Sequence, residues 1–506
     1  MFAAVFGIAV SGIQAHLIRV EVDVSNGLPV FDVVGLPAAA VRESRERVRS
    51  AVKNSGFEFP LQRITVNLAP ADIKKDGSGL DLAIAMGILA ATGQCPESKL
   101  QKLVFAGELS LEGALRPIPG ILAMAVSLAN TDKSLIVPPE NWEEAVLIDE
   151  IHSETAPDLL TLVQAIKGEI AFIQPQLEKD MNPPEDHNII DFSAIHGQLQ
   201  AKHSLEIAAA GGHNIIMIGP PGSGKTLLAK AYAGILPPLS RSESLEVTQL
   251  YSIAGLLSHS GQLITNRPFR HPHHSATAVG ILGGGRDMKP GELVLANHGV
   301  LFLDELPEFS RGVLESLRQP LEDRELTVTR QKGSVKYPAR LSIIASMNPC
   351  LCGWYGDTKR SCSCTPKQVE AYRGRVSGPL LDRFDLHVEV PRVDFDELHS
   401  KMQEETSKVV KERVLAARER QWCRLGKTRT NAEMTAEETQ EFCTLDEKGS
   451  QLLRSVFARQ HLSARGHDRI LRVARTIVDL EGTQEIEINH LAEAIQYRAL
   501  DQCIEL

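Results

Sequence analysis

The chain has 506 residues, too many for one hydrophobic core, and a length of roughly 150 residues per domain suggests three units. Hydrophobic residues make up 43% of the chain and charged residues 23%, which is the composition of a globular protein. The 54 Lys and Arg against 64 Asp and Glu give a net charge of −10, which argues against nucleic acid as a partner unless a local basic surface exists.

Two features indicate the compartment. No run reaches the length of about 18 uninterrupted apolar residues that a membrane span needs, and the apolar start Met1 to Val10 has no basic region before it. We therefore expect a strand at the start, with no export signal and no contact with a membrane. The eight cysteines then belong to a reducing compartment, where thiols stay free or bind metal. The expected location is the cytoplasm.

The order of predicted elements describes a multidomain α/β protein. Residues 1–172 alternate β-rich runs with helical stretches, which predicts an α+β domain. Residues 173–190 carry three prolines and mixed charge, the composition of an exposed linker. Residues 191–391 run helix, strand, glycine loop, helix and further strands, as in an α/β sheet with crossover helices. Residues 392–506 show helical spacing with many charges and predict a small helical domain.

The strongest motif is a phosphate-binding loop, G-x-x-x-x-G-K-[ST], which follows an apolar strand and precedes a predicted helix. Backbone N–H groups of such a loop surround the β- and γ-phosphates, Lys225 supplies a positive charge, and the hydroxyl of Thr226 can bind Mg²⁺. The sequence therefore predicts a site for ATP and Mg²⁺ that comprises Gly219, Pro220, Pro221, Gly222, Ser223, Gly224, Lys225 and Thr226.

A second motif follows about 80 residues later. The apolar strand from Gly299 to Leu303 ends in two carboxylates, Asp304 and Glu305. Asp304 fits a partner of Mg²⁺, and Glu305 fits the base that polarises the attacking water. A strand that ends in an acidic turn is common alone, but its position after a phosphate loop predicts an ATP hydrolase.

Three further residues resemble, in chain order, the remaining parts of an AAA+ ATPase site. Asn348 resembles the sensor-1 residue, Arg383 in LLDRFD resembles the arginine finger of the helix-2-insert branch, and Arg465 in SARG resembles a sensor-2 arginine. Each alone has an ordinary alternative, as a loop cap, a helix-end charge or a solvated side chain. The resemblance implies that Arg383 enters the site of a neighbouring chain and stabilises transition-state charge there, and hence a ring, usually a hexamer.

More specific motifs resemble those of the magnesium-chelatase-subunit-like AAA+ proteins of the ComM/YifB group, and the resemblance covers essentially the whole chain. These motifs are RPFRHPHH from Arg267, GGG from Gly283, PGE from Pro290 and NPC from Asn348. The resemblance implies a homohexameric, Mg-ATP-driven DNA translocase or helicase that promotes branch migration when incoming DNA recombines during natural transformation. Two alternatives stay open: a protein-remodelling ATPase similar to the magnesium-chelatase motor subunit, and a regulatory ATPase with a peptide-binding first domain.

The first domain resembles the proteolytic domain of Lon proteases. The matching motifs are KDGSG from Lys75, GELSLEG from Gly107, PIPG from Pro117 and VPPEN from Val137. A protease of this kind needs a serine nucleophile and a lysine base. The nucleophile position falls on Gly79, and the segment after Gly120, where the lysine belongs, reads ILAM. We therefore expect a degenerate Lon-protease-like scaffold without peptidase activity.

Two segments could grip a polymer. The stretch from Arg324 to Arg340 predicts a hairpin with its turn near Lys332, and it contains five basic residues and one acidic residue. The ordinary alternative is a solvated turn. In the AAA+ branch that the chain resembles, this hairpin points into the ring's pore, so the resemblance implies DNA contacts by Arg330, Lys332 and Lys336. The second segment runs from Arg267 to Lys289, where three glycines could let a loop flex.

Two groups of side chains suggest metal ligands. His271, His273 and His274 are better interpreted as neutral, packed histidines, and we expect no catalytic role for them. Four cysteines within fifteen positions, Cys350, Cys352, Cys362 and Cys364, predict a closed tetrahedral zinc site. Their C-x-C-x9-C-x-C spacing differs from the commoner C-x2-C pairs, and free or redox-active thiols are the alternative.

Overall fold

The computed structural model describes residues 1–35, 39–71, 75, 78–173, 175, 190–257, 261–285, 288–330, 333–357, 359–393, 404–426, 428–460 and 463–498. Within these residues the chain is a multidomain α/β protein whose parallel central sheet is followed by a group of helices. Most of the predicted linker, residues 174 and 176–189, lies outside the described residues. No helix in the described ranges is both long enough and apolar enough to span a bilayer.

The first unit is a mixed sheet covered by helices. Its strands are β1 (Phe2–Ser11), β2 (Gln14–Ser25), β3 (Val30–Val34), β4 (Arg63–Ala69), β5 (Leu103–Phe105), β6 (Glu108–Leu109), β7 (Leu115–Arg116), β8 (Ser134–Val137) and β9 (His152–Thr155). Its helices are α1 (Ala39–Asn54), α2 (Asp81–Ala91), α3 (Ile121–Leu128), α4 (Pro139–Ala145) and α5 (Leu159–Lys167), with a 3₁₀ turn at Glu97–Lys99. Among the described residues the sheet order is β3-β4-β2-β1-β5-β8-β9, and β6 pairs separately with β7.

The pattern of β2 explains how this sheet forms. Val20, Val22 and Val24 are buried, while Glu21 lies part-buried and Asp23 exposed on the opposite face. This alternation has the period of a strand with one face against the core. Helix α2 is nearly all apolar and almost entirely buried, so it packs beneath the sheet as its central helix.

The second unit contains the strands β10 (Ile215–Ile218), β11 (Phe269–Arg270), β12 (Gly283–Gly284), β13 (Lys289–Pro290), β14 (Val300–Leu303), β15 (Glu325–Arg330), β16 (Gly333–Pro338), β17 (Ser342–Met347) and β18 (Leu386–Glu389). Its helices are α6 (Leu199–Gly211), α7 (Lys225–Ile235), α8 (Arg241–Ala254), α9 (Ala278–Leu282), α10 (Glu292–Leu295), α11 (Arg311–Ser316), α12 (Arg318–Asp323), α13 (Pro366–Arg373) and α14 (Gly378–Leu381), with 3₁₀ turns at Phe192–Ala194 and Leu306–Glu308.

In the part of the chain that the structure describes, the central sheet is parallel and has the order β11-β14-β17-β10-β18. Every residue of β10 and β14 is buried, as expected for strands covered on both faces. Parallel strands end at the same edge, so the loops after β10, β14 and β17 meet there.

The third unit is helical. It comprises α15 (Ser407–Leu425), α16 (Ala436–Phe442), α17 (Glu447–Gln460), α18 (Ala464–Glu481) and α19 (Ile488–Gln496), with a 3₁₀ turn at Asn431–Glu433. Helices α15 and α18 pack on α6 and share its hydrophobic core. A buried polar link adds to this packing: His213 Nε2 lies 2.8 Å from Thr476 Oγ1, and His213 Nδ1 lies 3.3 Å from Asp385 Oδ2. The helical unit is thereby fixed beside β18.

The first unit docks on two elements of the second. Gly120 N–H donates to Ser252 O at the end of α8 (3.2 Å), and the carboxylate of Glu144 accepts from the Ser252 hydroxyl. The β1–β2 turn reaches the hairpin of β15 and β16, where Ile13 packs against the cluster that contains Val335. Val335 pairs with Val328, two pairs from the turn, so the first unit contacts the predicted polymer-binding hairpin in its half nearer the turn.

Candidate nucleotide site

The phosphate loop has the backbone that its glycines predict. Gly222 and Gly224 adopt φ of 77° and 90°, a left-handed conformation that costs glycine little because it has no Cβ. Gly219 is tightly packed, since a Cβ there would lie 2.1 Å from Val390 O. Helix α7 begins at Lys225 directly after the loop, so its N-terminal N–H groups face the phosphate position.

Lys225 is held inside this loop. Its Nζ donates to Gly219 O (2.6 Å) and Pro220 O (3.0 Å) and lies 3.5 Å from Asn348 Oδ1. Burial lowers the pKa of Lys225 to about 8, against the opposing effect of Asp304 and Glu305. A phosphate at the loop would supply the negative charge that this buried ammonium needs.

The two residues proposed to hold magnesium lie in contact. Thr226 Oγ1 donates to Asp304 Oδ2 at 3.0 Å, and Ser346 Oγ donates to Asp304 Oδ1. A hydroxyl and a carboxylate are the hard oxygen ligands that Mg²⁺ prefers, alongside phosphate oxygens. These residues therefore fit Mg²⁺ bound with ATP. Ser346 is an addition from the structure, since it orients Asp304 from β17, 42 positions along the chain.

Glu305 occupies an unusual backbone position directly after β14. Its φ is +52°, which is uncommon for a residue with a side chain, and its N–H donates to Asp304 Oδ1 (3.1 Å) and Ser346 Oγ (3.3 Å). The side chain is 53% exposed, and its Oε2 lies 3.3 Å from His274 Nδ1. The backbone thus turns the carboxylate toward solvent, where it could act on a water molecule.

The histidine segment lies closer to this site than the sequence suggested. The ring of His271 lies 4.8 Å from that of Phe302, and burial lowers the pKa of His271, which agrees with a neutral, packed side chain. His274, for which we expected no catalytic role, contacts the Glu305 carboxylate and so orients it. Gly283 and Gly284 pair with β13, so they form a small strand pair where a flexible loop was expected.

Arg383 and Arg465 come together at one carboxylate. Arg383 Nη2 and Arg465 Nη2 donate to the two oxygens of Glu322, the second at 2.8 Å. Arg383 also donates from Nε to Arg318 O at 2.9 Å and is only 9% exposed, whereas Arg465 is 62% exposed. Within the described residues, the contacts of both arginines lie with Glu322 and its surroundings and not with the phosphate loop.

These arginines line a basic cavity of about 250 Å³ between the second and third units. Its positively charged lining residues are Arg324, Arg383, Arg465, Arg469 and Arg472. Its acidic lining residues are Glu322, Asp385 and Asp468. The excess of positive charge suits an anion. Nη1 of Arg469 is buried and has no hydrogen-bond partner among the described residues.

The predicted hairpin is formed by β15 and β16, with Arg330 paired to Gly333 across the turn. Leu326, Val328, Val335 and Tyr337 are buried on its inner face. Lys336 lies on the outer face, 73% exposed, and its Nζ is 3.6 Å from Glu325 Oε2. Lys332 and the side chain of Arg330 lie outside the described residues.

The four cysteines form a compact group. Cys350 Sγ lies 3.4 Å from Cys352 Sγ and 3.6 Å from Cys362 Sγ, and all four sulfur atoms lie within 4.8 Å of one another. Cys350 is buried, and Cys352, Cys362 and Cys364 are partly exposed. The donors are therefore gathered as a single metal ion requires.

The fold and the site define a class before any comparison is made. A parallel α/β sheet that ends in a phosphate loop, a carboxylate pair and a polar residue at three neighbouring strands, followed by a helical unit, defines an AAA+-type nucleotide-binding protein.

Comparison with known proteins gives the family. Models of the magnesium chelatase subunit ChlI match residues 191–398 and 20–141, and a model of its C-terminal region matches residues 404–498. The chain is 44% identical to the YifB protein of Salmonella typhimurium over 98% of this chain and 97% of that protein. It is 42% identical to the competence protein ComM of Haemophilus influenzae over 99% of this chain and 98% of that protein. It is 25% identical to the magnesium-chelatase 38 kDa subunit of Rhodobacter capsulatus, over 44% of this chain and 60% of that protein. The chain belongs to the ComM/YifB group of magnesium-chelatase-like AAA+ proteins.

Proposed function

We propose that the protein is a homohexameric, Mg-ATP-driven DNA translocase or helicase. The observation that carries the proposal is the convergence of Arg383 and Arg465 on Glu322, at contacts separate from the chain's own phosphate loop. Two arginines whose contacts, among the described residues, lie away from their own phosphate loop suit a site completed by a neighbour. There they would stabilise charge on the transferred phosphoryl group. In the proposed ring, each subunit supplies this pair to its neighbour.

Each chain would contribute the other half of the site. Lys225 and the N–H groups of the loop bind the phosphates, and Thr226 and Asp304 hold the Mg²⁺ that neutralises their charge. Glu305 accepts the proton of the attacking water, with its carboxylate oriented by His274. Asn348 directly follows β17, and its Oδ1 lies 3.5 Å from Lys225 Nζ, so it can orient the same water.

DNA is the preferred polymer because the sequence of the hairpin is rich in basic residues, whereas the protein as a whole is acidic. Contacts by Arg330, Lys332 and Lys336 with backbone phosphates would be independent of sequence and sensitive to salt. The relative from Haemophilus influenzae is a competence protein by name, which supports a role in natural transformation. Branch migration of incoming DNA is the step that we propose for this protein there. Similarity to the magnesium-chelatase 38 kDa subunit supports the alternative, a motor that remodels a protein.

The remaining parts of the proposal concern cofactors, the first unit and location. We assign zinc to Cys350, Cys352, Cys362 and Cys364, and the cytoplasm as the compartment. The first unit would be a Lon-like scaffold without peptidase activity. In this unit the Ser78 hydroxyl donates to the carboxylate of Glu108, and Lys75 Nζ donates to Gly35 O at 3.1 Å.

The decisive experiment measures ATP turnover without DNA, with single-stranded DNA and with branched DNA, together with strand displacement. Replacement of Arg330, Lys332 and Lys336 by Ala should weaken DNA binding across sequences and flatten its salt dependence, while ring assembly and DNA-free turnover remain.

A matched control exists for the single change Lys336→Ala. Lys102 is also 73% exposed, and it also lies 3.6 Å from a carboxylate, that of Asp132 on the first unit. Lys102→Ala should leave DNA affinity unchanged, because it removes the same charge from another surface. If the triple variant binds and separates DNA as the wild type does, the hairpin is not the grip. If the wild type binds no DNA, the protein-remodelling alternative is favoured.

A further inference from the structure

The cysteine group lies next to the nucleotide site. Cys350 is fully buried and follows Asn348 by two residues at the end of β17. Gly353, between the two cysteine pairs, has φ of +83°, and a Cβ built on it would lie 2.6 Å from Cδ of Pro221. The loop of residues 350–364 therefore begins beside Asn348 and touches the phosphate loop.

The described part of this loop has little secondary structure to hold it. Its residues 350–357 and 359–364 form turns and bends without a helix or strand. Its local contacts include Gly353 N–H to Cys350 O at 3.0 Å and Arg360 stacked on Trp354 at 4.6 Å. The carboxylate of Asp357 also accepts from the N–H groups of Lys359 and Arg360, at 2.7 and 2.8 Å. A metal ion bound by the four cysteines would add a crosslink that restricts this segment to one conformation.

The spacing of the sulfur atoms fits such a crosslink. Zinc–sulfur bonds of about 2.3 Å in a tetrahedron place neighbouring sulfur atoms about 3.8 Å apart. The separations of 3.4, 3.6 and 3.6 Å among Cys350, Cys352 and Cys362 lie close to this value. With Cys364 in the same group, the four donors match a closed zinc site.

We propose that zinc held by these four thiolates is a structural part of the nucleotide site, because the metal-bound loop supports the phosphate loop at Pro221 and the strand end at Asn348. Zinc would then act on nucleotide affinity without touching the nucleotide. This inference rests on the proposed nucleotide site, but it does not depend on DNA as the substrate.

Two glycines allow a matched test that keeps every cysteine. Gly353 and Gly356 have φ of +83° and +79°, so alanine strains both similarly. A Cβ at Gly353 meets Pro221, whereas a Cβ at Gly356 has no described neighbour within 4 Å. Both variants should retain one zinc per chain by elemental analysis. Gly353→Ala should weaken binding of a fluorescent ATP analogue by about tenfold, and Gly356→Ala should stay near wild type.

A second measurement tests the metal itself. Cys352→Ser should lose zinc and at least as much nucleotide affinity. If that variant does not fold, removal of zinc from the wild type with phenanthroline, followed by re-addition of zinc, should lower and then restore the affinity.

Three results would overturn the inference: folded wild-type protein without zinc, zinc-free protein with unchanged affinity, or Gly353→Ala that binds as the wild type does. Unchanged binding by Lys225→Ala would instead refute the nucleotide site itself.

Discussion

The buried ammonium of Lys225 gives nucleotide binding a defined pH dependence. Burial lowers its pKa from 10.5 to about 8, so the side chain loses its charge in a range where phosphates remain fully ionised. A bound phosphate favours the charged form. Between pH 7 and pH 9 the charged fraction falls by about tenfold, so the affinity for Mg-ATP should fall by about 1.4 kcal/mol.

The sign of the effect on stability is opposite. The folded protein without nucleotide releases the Lys225 proton more readily than the unfolded chain, so charging this residue costs stability below pH 8. That cost diminishes as the pH rises from about 8 toward 10.5. Higher pH thus weakens nucleotide binding, while it raises the stability of the folded protein without nucleotide.

Calorimetric titration of a non-hydrolysable ATP analogue at several pH values tests this reasoning. Titration near pH 8.5 in two buffers of different ionisation enthalpy should show proton uptake on binding. Lys225→Arg is the control, because guanidinium stays charged and its residual affinity should not vary with pH. Wild-type affinity that stays constant from pH 7 to 9, or binding that releases protons, would refute the lowered pKa.

Further predictions concern the other residues of the site. Glu305→Gln should bind ATP normally but turn over about 10²-fold more slowly, and normal single-turnover rates would remove its role as base. His274→Ala should reduce turnover less than Glu305→Gln, because it only disorders that carboxylate; an equal loss would indicate a direct role. Arg383→Ala and Lys225→Ala should each be inactive alone, yet regain turnover when mixed, since a mixed ring contains intact shared sites. Absence of complementation in rings verified by size would contradict a shared site. Ile13→Asp should lower DNA-stimulated turnover more than DNA-free turnover, because it loosens the first unit from the hairpin; equal loss in both assays would contradict this.

The central features of the site could be predicted because their signals are local. The phosphate loop, the strand before it and the helix after it occupy one short stretch, and their order alone fixes how N–H groups face a phosphate. The same holds for Asp304 and Glu305, which end a wholly apolar strand. Parallel strands then bring these loops together without further information.

Other parts depend on distances along the chain that no local pattern encodes. Ser346 is separated from Asp304 by 42 positions, and Arg465 from Glu322 by 143. Glu322 lies in a short, charged helix where a carboxylate is unremarkable by sequence, so only the fold reveals its two partners. His274 was named from its motif, but its contact with Glu305 depends on how the segment before α9 crosses the sheet edge.

The position of Glu322 gives the proposed motor a physical connection between its DNA-binding hairpin and its ATP site. Helix α12 ends at Asp323 and β15 begins at Glu325, so one residue, Arg324, separates the helix of Glu322 from the hairpin. Arg324 has φ of +55°, and its Nη1 lies 2.6 Å from Glu433 Oε1 in the helical unit. Force on the hairpin would therefore reach α12 through a joint that is anchored on one side. Since Glu322 holds both Arg383 and Arg465, movement of α12 would change how these arginines approach the neighbour's phosphate. In the proposed ring, the carboxylate of Glu322 would therefore couple DNA in the pore to ATP between subunits.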